Sequence, residues 1–180
     1  TRIQAGDYRL PALGYVMRYR DLAAALDQRL ADGTLIDQCR IADLQPGDES
    51  VALTLQSRGE SWPLSARLVV HAEGTPADDP GVRVFDYHQH AVVAEVRPAP
   101  PPGHLAWERF TPDGPLALLP LKNDYAVVFT VPSARSSHLL SLDDAGFLAA
   151  LQAQCGSRIE FTACSARAAF RVNRSGSPGP

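Results

Sequence analysis

Three side chains that commonly bind metals occupy alternate positions in the middle of the chain: Asp86, His88 and His90. On a β-strand this spacing places them on one face, about 7 Å apart. Two imidazoles and a carboxylate could bind zinc or iron. A solvated strand face or an interface would carry the same spacing, and the residues by themselves favour that simpler interpretation.

A second candidate is the pair Glu73-Gly74, which ends an apolar run. Glycine after an acidic residue lets the backbone bend sharply and approach a ligand. A plain turn at the end of a strand explains the same residues, and the spacing alone favours it.

The run from Gly114 to Leu121 is apolar on both faces of the strand that it predicts. Leu116, Leu118 and Pro120 would share one face, and the intervening residues would share the other. Such a strand is either covered by helices or forms the wall of an apolar pocket. The sequence leaves both interpretations open.

Other common chemistries find little support. Three serines between positions 133 and 137 lie near His138, but no Gly-x-Ser-x-Gly motif of a hydrolase surrounds them. No phosphate-binding P-loop, EF-hand or metalloprotease motif occurs. We therefore assign no catalytic residue.

The first lobe, residues 1–75, is predicted to hold one helix and a three-stranded meander. Apolar residues from Leu22 to Leu30 recur every three or four positions, so we expect an amphipathic helix over residues 20–31. Turn-forming residues separate the apolar runs that follow. These runs predict strands at 39–44, 51–56 and 64–72.

The second lobe, residues 82–170, has the composition of a mixed or antiparallel sheet with a flanking helix. We expect that helix to begin with an N-cap within residues 141–144 and to run through Leu151. Residues 171–180 are mostly polar residues, glycine and proline, and this composition predicts a disordered tail. The chain should therefore be an α+β protein, with further strands at 82–96, 104–110, 116–120, 125–131 and 159–170.

The composition is that of an ordinary globular protein, with 45% hydrophobic and 21% charged residues among 180. A net charge of −3 without a basic cluster argues against a nucleic acid as partner. No apolar run approaches the roughly 20 residues that cross a bilayer, so we expect cytoplasmic residence. Three widely spaced cysteines favour small buried residues over a disulfide framework or a zinc site.

The stretch from Trp107 to Leu121 reads WERFTPDGPLALLPL. It resembles the centre of the flavin-dependent hydroxylases of ubiquinone biosynthesis, most closely their 2-polyprenyl-6-methoxyphenol hydroxylase branch. The resemblance covers the chain from about its first residue to Phe170. Three further segments resemble the family in the same order along the chain: LGYVMRYRDL at 13–22, RLVVHAEG at 67–74 and FDYHQHAVVA at 85–94.

This resemblance implies a p-hydroxybenzoate-hydroxylase-like fold, with FAD as cofactor and NAD(P)H as electron donor, that hydroxylates a polyprenylated phenol. It further implies that residues 1–75 belong to a flavin domain and that residues 82–170 bind the substrate. The family's opening dinucleotide fingerprint and its later Gly-Asp flavin segment have no counterpart here. We therefore expect the central part of such an enzyme, inactive by itself and without retained FAD.

The resemblance also implies roles for individual residues. It places Arg20, Glu73 and Gly74 near the cofactor, where a guanidinium could pair with a phosphate. The family's acid at this turn is Asp, and the Ser and Arg that follow it there are absent here, so this sequence departs from the family's nucleotide-contacting turn. For Arg20, a solvated arginine is the simpler interpretation. The substrate residues that the resemblance implies are Tyr15, His88, Phe110, Leu116, Leu118 and Pro120.

A second hypothesis is a non-catalytic module that holds a prenylated ring or docks on a partner protein. Under the first hypothesis the partner is the prenylated phenol substrate. Association with a membrane surface or a biosynthetic complex and formation of a homo-oligomer are open alternatives under both.

Overall fold

The computed structural model describes residues 1–72 and 82–176. Two compact units make up the chain: Arg18–Asp79, and a larger one that combines Thr1–Met17 with Pro80–Pro180. Glu73 and Gly74, the predicted cofactor turn, lie outside the described residues. The assignment of one lobe to the flavin and the other to the substrate stays a prediction.

An antiparallel sheet of three strands forms the centre of the smaller unit, with β1 at Arg40–Pro46, β2 at Val51–Ser57 and β3 at Glu60–Ala66. Leu53 and Leu55 on β2 are buried, as the alternation of apolar and polar residues predicts. The predicted meander is therefore present.

The third strand of this meander begins four residues earlier than predicted and does not include residues 67–72. The cause is the turn at Arg58-Gly59, where the two φ angles are positive, at 50° and 87°. A two-residue turn of this kind matches the twist of antiparallel strands. Pairing therefore resumes at once, with Ser57 opposite Glu60.

The helix of the smaller unit, α1 at Tyr19–Asp27, is shorter than the predicted helix over residues 20–31. The N–H of Arg29 donates to the Leu26 carbonyl at 2.8 Å, a hydrogen bond over three residues instead of four. This tighter turn ends the α-helix before Gly33, the residue that the sequence predicts as its stop.

An antiparallel sheet of six strands forms the centre of the larger unit. The long strand β4 (Arg83–Pro98) lies inside it. It pairs with β7 (Asp124–Pro132) along one side and with β9 (Ala168–Gly176) and β8 (Phe161–Cys164) along the other. A 3-10 turn at Ala5–Tyr8 precedes the sheet in the chain. The strands are β4 (Arg83–Pro98), β5 (Trp107–Thr111), β6 (Gly114–Leu121), β7 (Asp124–Pro132), β8 (Phe161–Cys164) and β9 (Ala168–Gly176), with β5 and β6 continuing the sheet beyond β7.

Two helices, α2 at Ser133–Ser141 and α3 at Asp144–Cys155, pack on one face of this sheet. Alternate residues of neighbouring strands meet them there, because side chains on a strand point to opposite faces in turn. The core between helices and sheet comprises Val92, Ala94, Val96, Leu116, Leu118, Tyr125, Val127, Phe129, Val131, Leu139, Phe147, Leu151 and Phe161.

The sequence patterns predict α3 but not α2. Only Ser136 and Leu139 of α2 are buried, so its residues give no clear helical periodicity. α3 begins within the predicted stretch: Asp143 is its N-cap and accepts a hydrogen bond from the Gly146 N–H at 2.7 Å.

The single strand predicted over residues 159–170 is two strands, β8 and β9. β9 continues through Gly176, so the prediction of disorder is wrong for residues 171–176. Asn173–Gly176 pair with Arg83–Asp86, the part of β4 that extends beyond β7, and Arg171 and Val172 pair with His90 and Gln89. Residues 177–180 lie outside the described residues.

The α+β class predicted from the sequence is confirmed by two antiparallel sheets and three α-helices in the described part of the chain. Within residues 1–72 and 82–176, no helix has the length and apolar character needed to cross a bilayer. The three cysteines are free and only partly buried.

Candidate functional site

The two faces of the six-stranded sheet differ in whether helices pack on them. α2 and α3 pack on the first face, whose side chains belong to the core. The side chains between those core residues point to the opposite side, which we name the second face. Cross-strand pairs place its apolar residues next to one another. The second face includes Ala91, Val93, Phe110, Ala117, Leu119, Ala126, Val128 and Phe170.

Most side chains of the second face are partly buried, but its two phenylalanines are not. Phe110 is 81% exposed and Phe170 is 60% exposed. Aromatic side chains beside an aliphatic surface are typical of sites that bind an apolar ligand or partner. The second face is therefore the strongest candidate for the predicted substrate wall.

The residues predicted for substrate binding divide between the two faces of the sheet. Leu116 and Leu118 each have 2% exposure and belong to the core on the first face, where Pro120 also points. Phe110 lies on the second face. The structure therefore does not bring Phe110 together with the leucines, and the substrate role of each stays a prediction.

The alternate residues Ala117 and Leu119 lie on the same face as Phe110. The sequence identifies the two alternating sets of β6 but not which set the helices cover. Because α2 and α3 pack on the first face, they cover the set that contains Leu116 and Leu118 and leave Ala117 and Leu119 on the second face.

His88 lies in a β-bulge, because the register between β4 and β9 shifts between Asp86 and Gln89. Its φ angle is positive, at 54°. The bulge interrupts the regular alternation that would place Asp86, His88 and His90 on one face of the strand. The Asp86 carboxylate accepts a hydrogen bond from the His88 N–H at 2.7 Å, which stabilises the bulge.

His90 has different surroundings. Its Nδ1 lies 2.6 Å from the Ser136 hydroxyl, which itself donates to the Ser133 carbonyl at 2.8 Å. The Ser136 oxygen must then accept, so His90 donates from Nδ1. No three potential metal ligands lie together in the described residues. A hydrogen bond from His88 to a phenol stays a prediction.

Two further predicted residues, Tyr15 and Arg20, lie at the surface of their own units. Tyr15 is 86% exposed. The Arg20 side chain is 77% exposed and lies 3.7 Å from the Asp21 carboxylate, which offsets part of its charge. Their roles at substrate and cofactor stay predictions.

Comparison with known proteins gives several relatives. No family model matches the chain. It is 30% identical over 177 residues to an uncharacterized protein of Synechocystis, covering 89% of this chain and 41% of the relative. It is also 30% identical over 185 residues to 3-demethoxyubiquinol 3-hydroxylase of Escherichia coli, covering 94% of this chain and 45% of the relative. Ubiquinone hydroxylase UbiL of Rhodospirillum rubrum is 32% identical over 156 residues, with 82% and 36% covered.

The chain spans less than half of the length of these curated relatives. The matches nevertheless cover most of its own residues, and they agree with the family that the motif at residues 107–121 resembles. The chain is a homologue of the hydroxylases of ubiquinone biosynthesis.

Proposed function

We propose that this chain is the substrate-binding part of a flavin-dependent monooxygenase that hydroxylates a polyprenylated phenol in ubiquinone biosynthesis. The names of the relatives support this class of reaction, because one is a ubiquinone hydroxylase, one is a 3-demethoxyubiquinol 3-hydroxylase, and a further relative from Danio rerio is a ubiquinone biosynthesis monooxygenase. The observation that carries the proposal is the apolar second face with its two exposed phenylalanines.

This face suits a flat ring with an aliphatic tail. Ala91, Ala117 and Ala126 are small and leave room above the strands, while Val93 and Leu119 offer aliphatic contact. A ring resting on such a surface buries apolar area and can contact a phenylalanine edge to face. The prenyl tail would then follow the strip of aliphatic side chains.

The described residues do not form a complete FAD-binding site. Arg20 offers one exposed guanidinium that already faces Asp21. A dinucleotide is ordinarily held by several backbone N–H groups at a glycine-rich helix start, which Arg20 cannot replace. When bound, FAD supplies the activation of dioxygen. In this proposal FAD and NAD(P)H act in the intact protein, and this chain does not retain the flavin.

A binding titration tests the substrate part of the proposal. The chain would be titrated with a phenol that carries a short prenyl tail, and the heat of binding recorded. We expect saturable binding that Phe110→Ala and Leu119→Gln each weaken about fivefold or more, since each removes apolar contact.

The matched control is Ala153→Arg on α3. Ala153 is exposed and does not belong to the second face, so this variant should bind like the native chain. Absence of binding to the native chain would contradict the proposal. Equal binding by Phe110→Ala, Leu119→Gln and the native chain would place the ligand somewhere other than the second face.

The alternative is a non-catalytic module for a prenylated ring or a partner protein. Absorption tests whether the chain retains a flavin, because a bound flavin absorbs at about 450 nm. Purified chain with that band would support a retained cofactor site and contradict our expectation that the flavin is lost. Colourless chain that still binds the prenylphenol fits the module, and fits the substrate-binding part of a larger enzyme equally well.

The proposal includes contact with a membrane or a biosynthetic complex and the formation of a homo-oligomer. Exposed apolar side chains such as Phe110 and Phe170 would favour binding to a membrane, to another protein or to a second copy of the chain. Sedimentation with and without liposomes measures both the oligomeric state and membrane binding. A monomer that stays free of liposomes would remove this part of the proposal.

A further inference from the structure

A cleft of about 500 Å³ lies on the first face of the six-stranded sheet, on the side opposite the proposed substrate wall. The hairpin of β5 and β6 forms one side of it, and the end of α3 with the residues that follow forms the other. Its volume is in the range of small-molecule sites, about 300–1,000 Å³. This cleft is thus independent of the second face.

Apolar and polar groups share the lining of the cleft in similar measure. Leu116 and Leu118 contribute from β6, Trp107 from β5, and Cys155 and Ile159 from the other side. The indole Nε1–H of Trp107 donates to the Tyr125 hydroxyl at 3.2 Å, which fixes the ring in the wall. A ligand that fills this cleft therefore needs an apolar part as well as a polar one.

Two arginines add positive charge to the lining. Arg109 shares the first face with Leu116, its cross-strand partner, and its Nη1 atom lies 3.9 Å from where a Cβ on Gly156 would be. Arg158 lines the cleft from the other side. Within residues 1–72 and 82–176, neither guanidinium has a hydrogen bond or an ion pair, so both can accept an anion.

The positive charge of Arg109 affects Cys155, another residue that lines the cleft. Burial raises the pKa of the Cys155 thiol, while the nearby Arg109 charge lowers it. Thr1 and Glu108 also line the cleft, so the charged side chains of the lining are two arginines and one carboxylate. The side chains of the cleft therefore carry a net positive charge beside its apolar residues.

We propose that this cleft binds a single-chain amphiphile, with its aliphatic chain against Trp107, Cys155 and Ile159 and its anionic head paired with Arg109 and Arg158. The head is a carboxylate or a phosphate, since both accept the paired N–H groups of a guanidinium. A neutral amphiphile would bury the same apolar area but would leave both arginines unpaired.

Tryptophan fluorescence provides a local readout. The chain has two tryptophans, and the other, Trp62, belongs to the smaller unit. In a Trp62→Phe background Trp107 is the only fluorophore of this kind. Titration with dodecanoate or dodecyl phosphate, below their micelle concentrations, should give a saturable change in its emission. Comparison of the two probes identifies the preferred head group.

Three variants decide whether the charge matters. Arg109→Gln should weaken binding about tenfold and Arg158→Gln by a smaller factor, because each loses a charge-assisted hydrogen bond. Arg29→Gln, an exposed change in the smaller unit, is the matched control and should leave the affinity unchanged. Circular dichroism verifies that each variant is folded.

Dodecanol is the neutral probe. The proposal is overturned if neither anionic probe saturates, if dodecanol binds as tightly as they do, or if Arg109→Gln has no effect. Binding of the prenylphenol to the second face is measured separately with Phe110→Ala, so failure of one proposal does not imply failure of the other.

Discussion

The guanidinium of Arg167 lies 2.8 Å from the carboxylate of Asp144 and, through its second terminal nitrogen, 2.8 Å from the carbonyl of Leu142. It also stands 5.2 Å above the ring of Phe147. Arg167 precedes β9, whereas its partners belong to the start of α3 and the connection before it. One side chain therefore ties the helices of the larger unit to the connection between β8 and β9.

Replacing this arginine should destabilise the larger unit. Arg167→Gln loses the ion pair, the cation–π contact and the hydrogen bond to a backbone carbonyl, and the Arg167 side chain is only 12% exposed. We expect a loss of about 1–3 kcal/mol in the free energy of unfolding. Urea denaturation followed by Trp107 fluorescence, in a Trp62→Phe background, measures it. Arg158→Gln, an exposed change, should cost far less, and equal losses would contradict the prediction.

The same contact makes stability depend on pH. Hydrogen bonds from Arg167 and then Cys164 hold the pKa of Asp144 below its ordinary value of 3.8. A carboxyl group with a lowered pKa stabilises the fold above its unfolded-state pKa, and that contribution is lost as the pH falls through the folded-state value. Native chain and Asp144→Asn should therefore differ most near neutral pH and converge below about pH 4.

Urea midpoints of both proteins at several pH values test this expectation. Asp143→Asn is not a suitable control because Asp143 caps α3. Asp27→Asn in the smaller unit is the better one, and its difference from the native chain should not follow the same curve. A constant difference between native chain and Asp144→Asn across the pH range would refute the proposed linkage.

Gly114 should tolerate no side chain. Its φ angle is 148°, and a Cβ atom there would lie 2.8 Å from the Thr130 carbonyl oxygen. Both the backbone conformation and the clash oppose Gly114→Ala, so we expect a loss of about 3 kcal/mol or more. Gly103 also has a positive φ, 60°, but nothing lies within 4 Å of its added Cβ. Gly103→Ala should cost only about 1 kcal/mol, and thermal denaturation compares the two.

Truncation to alanine should affect stability very differently at two phenylalanines of the same sheet. Phe129 is fully buried on the first face, and Phe129→Ala should cost about 3–5 kcal/mol. Phe110 is 81% exposed on the second face, and Phe110→Ala should change stability by less than about 0.5 kcal/mol. Urea denaturation measures both. A large loss from Phe110→Ala would mean that the second face is covered and is not a ligand surface.

The sequence by itself determined the family and most of the helices and strands. Apolar alternation in β2 and β7 and the periodicity of α1 and α3 reflect local side-chain geometry, so these elements were predictable within a few residues. The motif at residues 107–121 likewise identified the homology without coordinates. The end of β9 and the helix α2 were missed, because pairing with a distant strand and packing on a sheet leave little trace in a local pattern.

The candidate site depended on tertiary structure. Both alternating sets of β6 are apolar, so only the packing of α2 and α3 shows that Leu118 is core and that Leu119 lies on the second face. The bulge at His88 arises from the pairing of β4 with β9 and separates residues that an ideal strand would align. The cleft at Arg109 forms where β5 meets the end of α3, far apart in the chain. A sequence specifies which side chains alternate, whereas long-range packing decides which of them is covered.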